Sequence, residues 1–472
     1  MDNMPRARLN AYSRTTLAYL LLIGLPMLLI FAVIGLGRPP VAPTANVLKQ
    51  LLPAPAAMPN LVLLLAQVAM IITCARLAGQ LFRRIGQPQV VGEMAAGIAL
   101  GPTLLGSLAP GMTTLLFPPQ TLGFLQAISQ LGMIVFMFVI GLELDPAVLR
   151  ERKRTAVLVS LTSIALPFAL GVLLAVWLYP HFGPAQVGFT GFALFIGISM
   201  SVTAFPVLAH ILKEQGLSRT SLGALALTCA ALNDVAAWLI LAAVVIIVKA
   251  DHQLASLPLT LGAAALYVLI MLKLVRPVLA RCFQQKQDTA LSRNRLALIL
   301  VLVLCSALAT EWLGIHALFG AFLAGAITPR NIGLTEKLIV RLEDFTMVML
   351  LPLFFVFTGL RTDMRLLGQS NALIACGLVI AAAVAGKIGG AALAARASGV
   401  AWRDAGALGI LMNTRGLMEL VILSIGLDIG VITPALFTIL VIMAIVTTCM
   451  TAPLLNRFYH RRSATQSVNL PT

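Results

Sequence analysis

Apolar stretches about as long as a membrane is thick recur along this chain, separated by short polar segments. A helix needs roughly 20 apolar residues to cross a hydrocarbon core of about 30 Å, and many of the stretches reach that length. The pattern predicts an all-α integral membrane protein with about 14 transmembrane helices. The predicted spans lie near residues 16–36, 60–82, 89–105, 122–142, 154–179, 187–213, 221–249, 255–275, 294–313, 315–331, 345–362, 370–395, 403–428 and 432–457.

Composition supports this interpretation and excludes other classes. Of the 472 residues, 60% are hydrophobic and only 11% are charged, values that water-soluble domains do not reach. The net charge of +16 does not indicate a nucleic-acid partner, because the basic residues are spread over short loops and form no single patch. The six cysteines contain no CxxC pair and are typical of small apolar packing residues. We expect the lipid bilayer as partner, no nucleic acid and no cofactor.

The distribution of Lys and Arg predicts the orientation. If the N-terminus is cytoplasmic, one set of loops carries Arg150, Arg152, Lys153 and Arg154, then Lys213 and Arg219, Lys273 to Arg295, Arg330, Lys337 and Arg341, and Arg457 to Arg462. The opposite loops hold Arg38, Lys49, Lys249, Arg361 and Arg365. The positive-inside rule then predicts that both termini are cytoplasmic. We interpret span 16–36 as a retained helix, not a signal peptide, because no small-residue cleavage pattern follows it.

Two weak similarities indicate an internal duplication. The segment GEMAAG (92–97) resembles GAFLAG (320–325), and FVIGLELDPAVL from Phe138 resembles FVFTGLRTDMRLL from Phe355. They occupy the second and third helices of two six-helix blocks, and a single helix joins the blocks, so the second block enters the membrane inverted, as in many transporters. The predicted organisation is an N-terminal helix and Pro-rich loop (1–59), a first repeat (60–249), a linking helix and cytoplasmic loop (250–293), a second inverted repeat (294–457) and a cytoplasmic tail (458–472).

The fifth helix of each block is interrupted by polar or helix-breaking residues. The interruptions are SMSVTAFP (199–206) and MNTRGLME (412–419). Such sequences free backbone groups at membrane depth, which is tolerated only inside protein or beside a wet cavity. Taken singly, each has the alternative of a kink satisfied by its own Ser or Thr. Together they predict two facing, discontinuous helices with a polar centre.

Five ionisable residues inside predicted spans are functional candidates, because such residues are rare and costly in a bilayer. They are Glu93, Asp234, Lys387, Arg415 and Glu419. Lys387 is a candidate either to pair with Asp234 when the site is empty or to balance the partial charges at the ends of the interrupted helices. A purely structural ion pair between Asp234 and Lys387 is the alternative. Arg415 and Glu419 are four residues apart and have the alternative of satisfying each other. The alternative for Glu93 is a polar hinge.

The chemistry of a buried carboxylate predicts exchange of a proton for a cation. Burial disfavours the charged form of a carboxyl group, so it takes up a proton near neutral pH, and when ionised it offers hard oxygen ligands to an alkali cation. A proton and a cation then compete for Asp234. The result is antiport if the site can move between the two sides of the membrane only when one of these ions is bound. Asn233, Ser201, Thr203 and freed carbonyls of the first interruption are candidate further ligands.

Six motifs together resemble the monovalent cation:proton antiporter superfamily, second branch, which includes the plant cation/proton exchangers and bacterial sodium/proton antiporters. The motifs are GQPQVVGEMAAGIALGP, LGMIVFMFVIGLELD, SMSVTAFPVLAHILKEQGL, LNDVAAW, LPLFFVFTGLRTD and MNTRGLMELVILSIGLD. The resemblance covers roughly residues 60 to 457. It implies a homodimer in which a core bundle with crossed broken helices moves against a dimerisation panel, and it implies no enzyme.

The family's site residues match this chain position by position. The resemblance implies that Asp234 binds the proton and the cation, and it matches Thr203, Lys387 and the pair Arg415–Gly416 to the family's other motif residues. Where electrogenic bacterial members carry two adjacent aspartates, this chain has Asn233 before Asp234. A single carboxylate predicts exchange of one Na⁺ or K⁺ for one H⁺, hence electroneutral transport.

Three other functions are weighed against antiport. A channel-like K⁺ efflux pathway would need a filter such as TVGYG, which the sequence lacks. A membrane enzyme is not supported, because neither HExxH nor GxSxG occurs. An organic-solute/proton transporter on the same scaffold stays open, as do the choice between Na⁺ and K⁺, the stoichiometry and the direction of transport.

Overall fold

The computed structural model describes residues 61–143, 153–217, 220–250, 257–284, 293–313, 316–329, 334–368 and 371–460. The first predicted span, the Pro-rich loop and the tail from residue 461 onward lie outside these ranges.

Regular structure within these ranges is entirely helical, which confirms the predicted class. The principal helices are α1 (Leu61–Arg84), α2 (Gln89–Leu100), α3 (Pro119–Glu143), α4 (Lys153–Phe182), α5 (Phe189–Ser199), α6 (Phe205–Glu214), α7 (Ser221–Ala250), α8 (Leu257–Ile270), α9 (Arg276–Gln284), α10 (Arg293–Trp312), α11 (Ala317–Ile327), α12 (Leu334–Phe345), α13 (Leu351–Leu360), α14 (Ala372–Ala397), α15 (Trp402–Met412), α16 (Leu417–Asp428) and α17 (Pro434–Leu455). Short helices cover Leu105–Leu108 and Pro110–Leu116, a 3-10 turn covers Met364–Gly368, and π-helical turns cover Met271–Val275, Thr346–Leu350 and Asn456–His460.

The described residues contain eight helices that are long and apolar enough to cross a membrane, or nine if the bent pair α15 and α16 counts as one span. That pair bends by 43° at its break. The predicted span 187–213 consists of two half-helices, α5 and α6, and α5 and α11 are short apolar helices. Interrupted and shortened helices therefore explain why fewer uninterrupted spans appear in the described part than the sequence predicts.

Closely packed helix pairs fall into two groups. The panel bundle contains α1, α2, α3, α10, α11 and α13, and the core bundle contains α4 to α7 and α14 to α17. Among the described residues, helices of the panel bundle pack extensively only with each other, and so do those of the core bundle. α8 packs on α7, and the π-helical turn after it packs on α11, so this segment touches both bundles.

Two glycine pairs mark the places where panel helices cross most closely. A β carbon placed on Gly359 of α13 would lie 2.6 Å from the α carbon of Gly97 in α2. One placed on Gly325 of α11 would lie 2.9 Å from the α carbon of Gly141 in α3. These four glycines belong to the similar motifs that suggested a duplication. The second helix of each predicted block therefore crosses the third helix of the other block, with backbones in contact.

We expect Gly141→Ala to lower the free energy of unfolding by about 1–3 kcal/mol, the usual cost of overpacking a tight contact. The added β carbon would lie 2.9 Å from backbone atoms of Gly325 and Ala326, which cannot move aside as a side chain can. Thermal unfolding of the detergent-solubilised protein measures the effect. Gly123→Ala on the same helix is the matched control, because nothing lies within 4 Å of its β-carbon position. Equal unfolding temperatures for both variants would contradict the close crossing.

Candidate functional site

Both helix interruptions predicted from the sequence are present in the core bundle. Break 1 (residues 200–204) separates α5 from α6, and break 2 (residues 413–416) separates α15 from α16. Pro206 lies in the first turn of α6, where its missing N–H costs nothing, whereas inside a continuous helix it would remove a backbone hydrogen bond. Local sequence therefore explains why the first break lies where it does.

The two breaks satisfy each other's freed backbone groups. The backbone N–H of Ala204 donates to the carbonyl of Thr414 at 3.0 Å. The Thr203 hydroxyl donates to the carbonyl of Met412, also at 3.0 Å. Because backbone groups without partners are costly at membrane depth, each break stabilises the other. The predicted facing arrangement is thus observed, and the hydrogen bonds cross from one broken helix to the other.

Arg415 of break 2 caps the carboxyl end of α5. Its guanidinium donates to the carbonyl of Ser199 at 3.0 Å and to that of Met200 at 2.5 Å, and it forms an ion pair with Glu419 in the first turn of α16. A cation at a helix C-terminus and an anion at a helix N-terminus both complement the helix dipoles. Arg415 and Glu419 therefore pair with each other, while the Arg415 Nε and Glu419 Oε1 atoms have no hydrogen-bond partner among the described residues. The Met200 carbonyl, a candidate ion ligand in the sequence, is occupied.

Thr448 of α17 fixes the backbone of break 2 from the other side. Its hydroxyl accepts from the Arg415 N–H at 3.1 Å and donates to the Arg415 carbonyl at 2.8 Å. Sequence reasoning missed Thr448, because a Thr in an apolar span usually bonds its own helix and carries no distinguishing signal.

Asp234 lies in the middle of α7, with only 3% of its surface exposed. The backbone N–H of Phe205, the first residue of α6, is directed at its carboxyl group, so the acid sits at the positive end of that half-helix. Its Oδ1 atom has no hydrogen-bond partner among the described residues. The accepting capacity of this oxygen is therefore unused among the described residues.

Lys387 of α14 forms no ion pair with Asp234 in this structure and lies at break 1, the second of the two positions predicted for it from the sequence. Its ammonium group is fully buried and donates to the Thr203 hydroxyl at 2.7 Å. The Thr203 hydroxyl in turn donates to the carbonyl of Met412, the last residue of α15, so it accepts one hydrogen bond and donates another. The lysine charge is held at break 1 through this hydroxyl and leaves the carboxylate unpaired among the described residues.

The remaining predicted ligands have partners within the protein. The Asn233 Oδ1 atom accepts from the backbone N–H of Thr203 at 3.1 Å. The Ser201 hydroxyl donates to the carbonyl of Gly197 at 2.6 Å, which leaves its oxygen lone pairs for other contacts. Asn233 is therefore engaged with break 1, whereas Ser201 retains accepting capacity.

A cavity of about 610 Å³ reaches the N-terminal ends of α6 and α16, the half-helices that follow the two breaks. Phe205 of α6 and Leu417 of α16 line it, together with Glu93 of α2. Glu93 accepts from the Gln89 side chain at 2.8 Å and is not part of the hydrogen-bonded cluster at the breaks. The other ionisable lining residues are Arg76, Glu143, His210, Lys213 and Glu343.

A second cavity of about 320 Å³ lies at the opposite end of α16. Asp428, which ends that helix, lines it and forms an ion pair with Arg361 at 2.8 Å. Arg361 follows α13 of the panel bundle, and α16 belongs to the core bundle. The ion pair thus joins the two bundles on the face opposite the larger cavity.

Comparison with known proteins identifies this arrangement. A family profile described as the transmembrane sodium/hydrogen exchanger matches residues 69–457. The chain belongs to the sodium/hydrogen exchanger family. Members of this family are membrane exchangers and not enzymes, so the chain is a multi-pass membrane transporter, as predicted.

Three curated exchangers illustrate the relationship. The Na⁺/H⁺ antiporter NhaS4 of Synechocystis sp. is 47% identical over 85% of this chain and 98% of its own length. Cation/H⁺ antiporter 17 of Arabidopsis thaliana is 38% identical over 84% of this chain and 48% of its own length. K⁺/H⁺ antiporter 1 of Saccharomyces cerevisiae is 33% identical over 87% and 48%. The chain spans about half the length of the plant and yeast exchangers.

A solved exchanger shares the fold. The structure of the sodium proton antiporter MjNhaP1 from Methanocaldococcus jannaschii superposes with a TM-score of 0.59, covering 84% of this chain and 96% of that one. Only 14% of the residues are identical, so the similarity concerns the backbone architecture alone. It confirms the sodium/proton antiporter-like fold predicted from the sequence.

Proposed function

We propose that this exchanger transports a monovalent cation, Na⁺ or K⁺, against H⁺ by alternating access, and that both ions compete for Asp234. The observation that carries the proposal is the unpartnered carboxylate oxygen of Asp234 beside two broken helices. The names of the relatives support the chemistry, since they include a Na⁺/H⁺ and a K⁺/H⁺ antiporter.

The surrounding groups suit an acid that changes partners. The Phe205 N–H is directed at the carboxyl group, and Lys387 balances the negative charge of Asp234 from break 1 without binding to it. A proton or a cation neutralises Asp234, whereas an empty, ionised site is costly to carry through the apolar membrane interior. Only a core bundle whose Asp234 holds a proton or a cation then moves between the two sides of the membrane. This restriction couples the transport of the two ions.

The composition of the site supports an electroneutral cycle. Asn233 cannot take up a proton near neutral pH, and its amide oxygen is bound to break 1. One carboxyl group therefore exchanges one proton for one monovalent cation. Glu93, in the wall of the larger cavity, is proposed to attract cations at the entrance, outside the central site.

The rest of the architecture is proposed to serve this cycle. The core bundle moves against the panel bundle, and the panel forms a homodimer. The chain is organised as two inverted repeats, 60–249 and 294–457, an interpretation supported by the reciprocal Gly97–Gly359 and Gly325–Gly141 crossings. We place the protein in a bacterial inner membrane with both termini in the cytoplasm, since this orientation satisfies the positive-inside rule.

Exchange by the purified protein in proteoliposomes tests the function. Vesicles containing a pH dye receive Na⁺, K⁺ or Li⁺ in turn, with the membrane voltage clamped at different values. We expect at least one cation to drive proton movement whose rate does not change with voltage. Voltage-driven current without proton movement would reject antiport in favour of a channel. Proton movement that follows an organic solute and ignores all three cations would reject the cation as substrate.

The ion pair between Arg361 and Asp428 is predicted to hold the smaller cavity closed. Its side chains are 25% and 24% exposed, and an ion pair of this kind contributes up to about 1 kcal/mol, which corresponds to roughly a fivefold change in population. Arg361→Ala should therefore accelerate labelling of a Ser424→Cys probe in that cavity about fivefold. The measurement uses an impermeant thiol reagent and a protein whose native cysteines are replaced.

Arg365→Ala is the matched control for this experiment. Arg365 pairs with Asp363 at 2.8 Å within a single connecting segment, so its loss removes an ion pair near the same surface without uncoupling the bundles. Equal labelling rates in Arg361→Ala and Arg365→Ala would show that the Arg361–Asp428 ion pair does not hold the smaller cavity closed.

A further inference from the structure

Asn233 is held by a serine that sequence reasoning did not single out. Its Nδ2 atom donates to the Ser163 hydroxyl of α4 at 3.0 Å, and that hydroxyl donates to the carbonyl of Ser160 at 2.8 Å. On its other side, Asn233 accepts from the Thr203 N–H. Ser163, Asn233 and Thr203 are all fully buried. One amide therefore connects α4, α7 and break 1.

The directions of these hydrogen bonds leave only one orientation for the amide. A backbone N–H can only donate, so the atom facing Thr203 must be the amide oxygen. The Ser163 proton goes to the Ser160 carbonyl, so the Ser163 oxygen accepts, and the atom facing it must be the amide nitrogen. Removing the Ser163 oxygen would leave the buried amide nitrogen without this acceptor and would free the amide to rotate.

Rotation of the Asn233 amide would change the ion site, because break 1 connects the two. Thr203 is two residues before Phe205, whose N–H is directed at Asp234, and the Thr203 hydroxyl accepts a hydrogen bond from the Lys387 ammonium group. The donor to the acid and the position of the balancing charge therefore both depend on where Thr203 is held. The anchor of Thr203 on the α7 side is the Asn233 oxygen.

We propose that Ser163 is a positioning residue for cation exchange. By fixing the Asn233 amide, Ser163 holds break 1 in its position relative to Asp234. It also keeps the Asn233 amide oxygen bonded to the Thr203 N–H, so that this oxygen does not bind the ion. The inference rests on the proposed function, since it assigns Ser163 to the same Asp234 site. Ser163 acts through Asn233 and is not itself a ligand of the ion.

The test compares Ser163→Ala with Ser160→Ala in the exchange assay. Both changes remove one buried hydroxyl from α4, but the Ser160 hydroxyl has no hydrogen-bond partner among the described residues. Loss of a buried hydrogen bond to a group that stays buried corresponds to roughly a tenfold change in an equilibrium constant. We expect Ser163→Ala to raise the KM for the cation about tenfold, with kcat within about twofold, and Ser160→Ala to leave both near the wild-type values. Ser163→Thr, which retains the hydroxyl, should recover most of the lost affinity.

A double-mutant cycle with Asn233→Ala shows whether Ser163 acts through the amide. If it does, Ser163→Ala changes KM little further in the Asn233→Ala background. If Asn233→Ala is inactive, the same cycle is measured as unfolding temperature, where the two losses should again fail to add. Equal KM values for Ser163→Ala and Ser160→Ala, or full additivity with Asn233→Ala, would overturn the inference while wild-type exchange stands. Absence of wild-type exchange would instead reject the proposed function.

Discussion

Asp234→Asn is expected to abolish cation-dependent proton movement in proteoliposomes. The amide keeps the size of the side chain and one oxygen, but it carries no negative charge and takes up no proton near neutral pH. A unit charge about 4 Å away contributes roughly 4 kcal/mol at an effective dielectric constant of about 20, so cation affinity should fall by about a thousandfold. The pH-dye assay measures the loss of exchange, and cation-dependent thermal stabilisation of the purified protein measures the loss of binding.

Two further variants make this result specific to the position. Asp363→Asn removes a carboxylate from the segment between α13 and α14, where it pairs with Arg365, and exchange should continue near the wild-type rate. Asp234→Glu keeps the charge but lengthens the side chain, and partial activity with altered cation preference is expected. Exchange at the wild-type rate in Asp234→Asn would remove Asp234 from the mechanism.

Arg415→Gln is expected to cost about 3–5 kcal/mol of folding free energy, the usual result of removing one partner of a buried ion pair. Glu419 would lose its counter-charge at a fully buried position. The carbonyls of Ser199 and Met200, which end α5, would lose their donor. Thermal unfolding followed by size-exclusion chromatography should show a large drop in the unfolding temperature, together with reduced amounts of folded protein in the membrane.

The double variant Arg415→Gln/Glu419→Gln separates the two causes. Neutralising both partners removes the unpaired charge, so part of the stability lost in Arg415→Gln should return. The part that does not return reports the capping of the α5 carbonyls. Arg365→Gln, at an exposed ion pair, is the control and should unfold near the wild-type temperature. An unchanged unfolding temperature in Arg415→Gln would contradict the capping role.

Several features of the site followed from local sequence alone. Charge at membrane depth is costly wherever the chain folds, so Asp234 and Lys387 were recognisable as candidates without coordinates. Pro206 and Gly416 interrupt apolar runs, and their effect on a helix acts within one turn. The similar glycine motifs likewise predicted the duplication, although not which glycines would touch.

Partners across long separations were not predictable in this way. The sequence left two positions open for Lys387, at Asp234 or at the interrupted helices, and could not identify its partner Thr203, 184 positions away in the chain. Arg415 was matched to Glu419, which is local, but its contact with the Ser199 carbonyl spans 216 positions. The roles of Ser163 and Thr448 had no sequence signal, because a Ser or Thr in a helix usually bonds its own backbone.

The sequence by itself determined that this chain crosses a membrane as helices, which two of them are interrupted, and which acid is the candidate for the ion site. Those properties depend on hydropathy, backbone restrictions and the cost of burying charge, all of which act over a few neighbouring residues. Only the tertiary structure decided that the two breaks satisfy each other, that Arg415 caps α5, and that Asn233 binds a backbone N–H. Those properties depend on which helices pack side by side and how far each is rotated, and hydrogen bonding requires that geometry within about 0.5 Å.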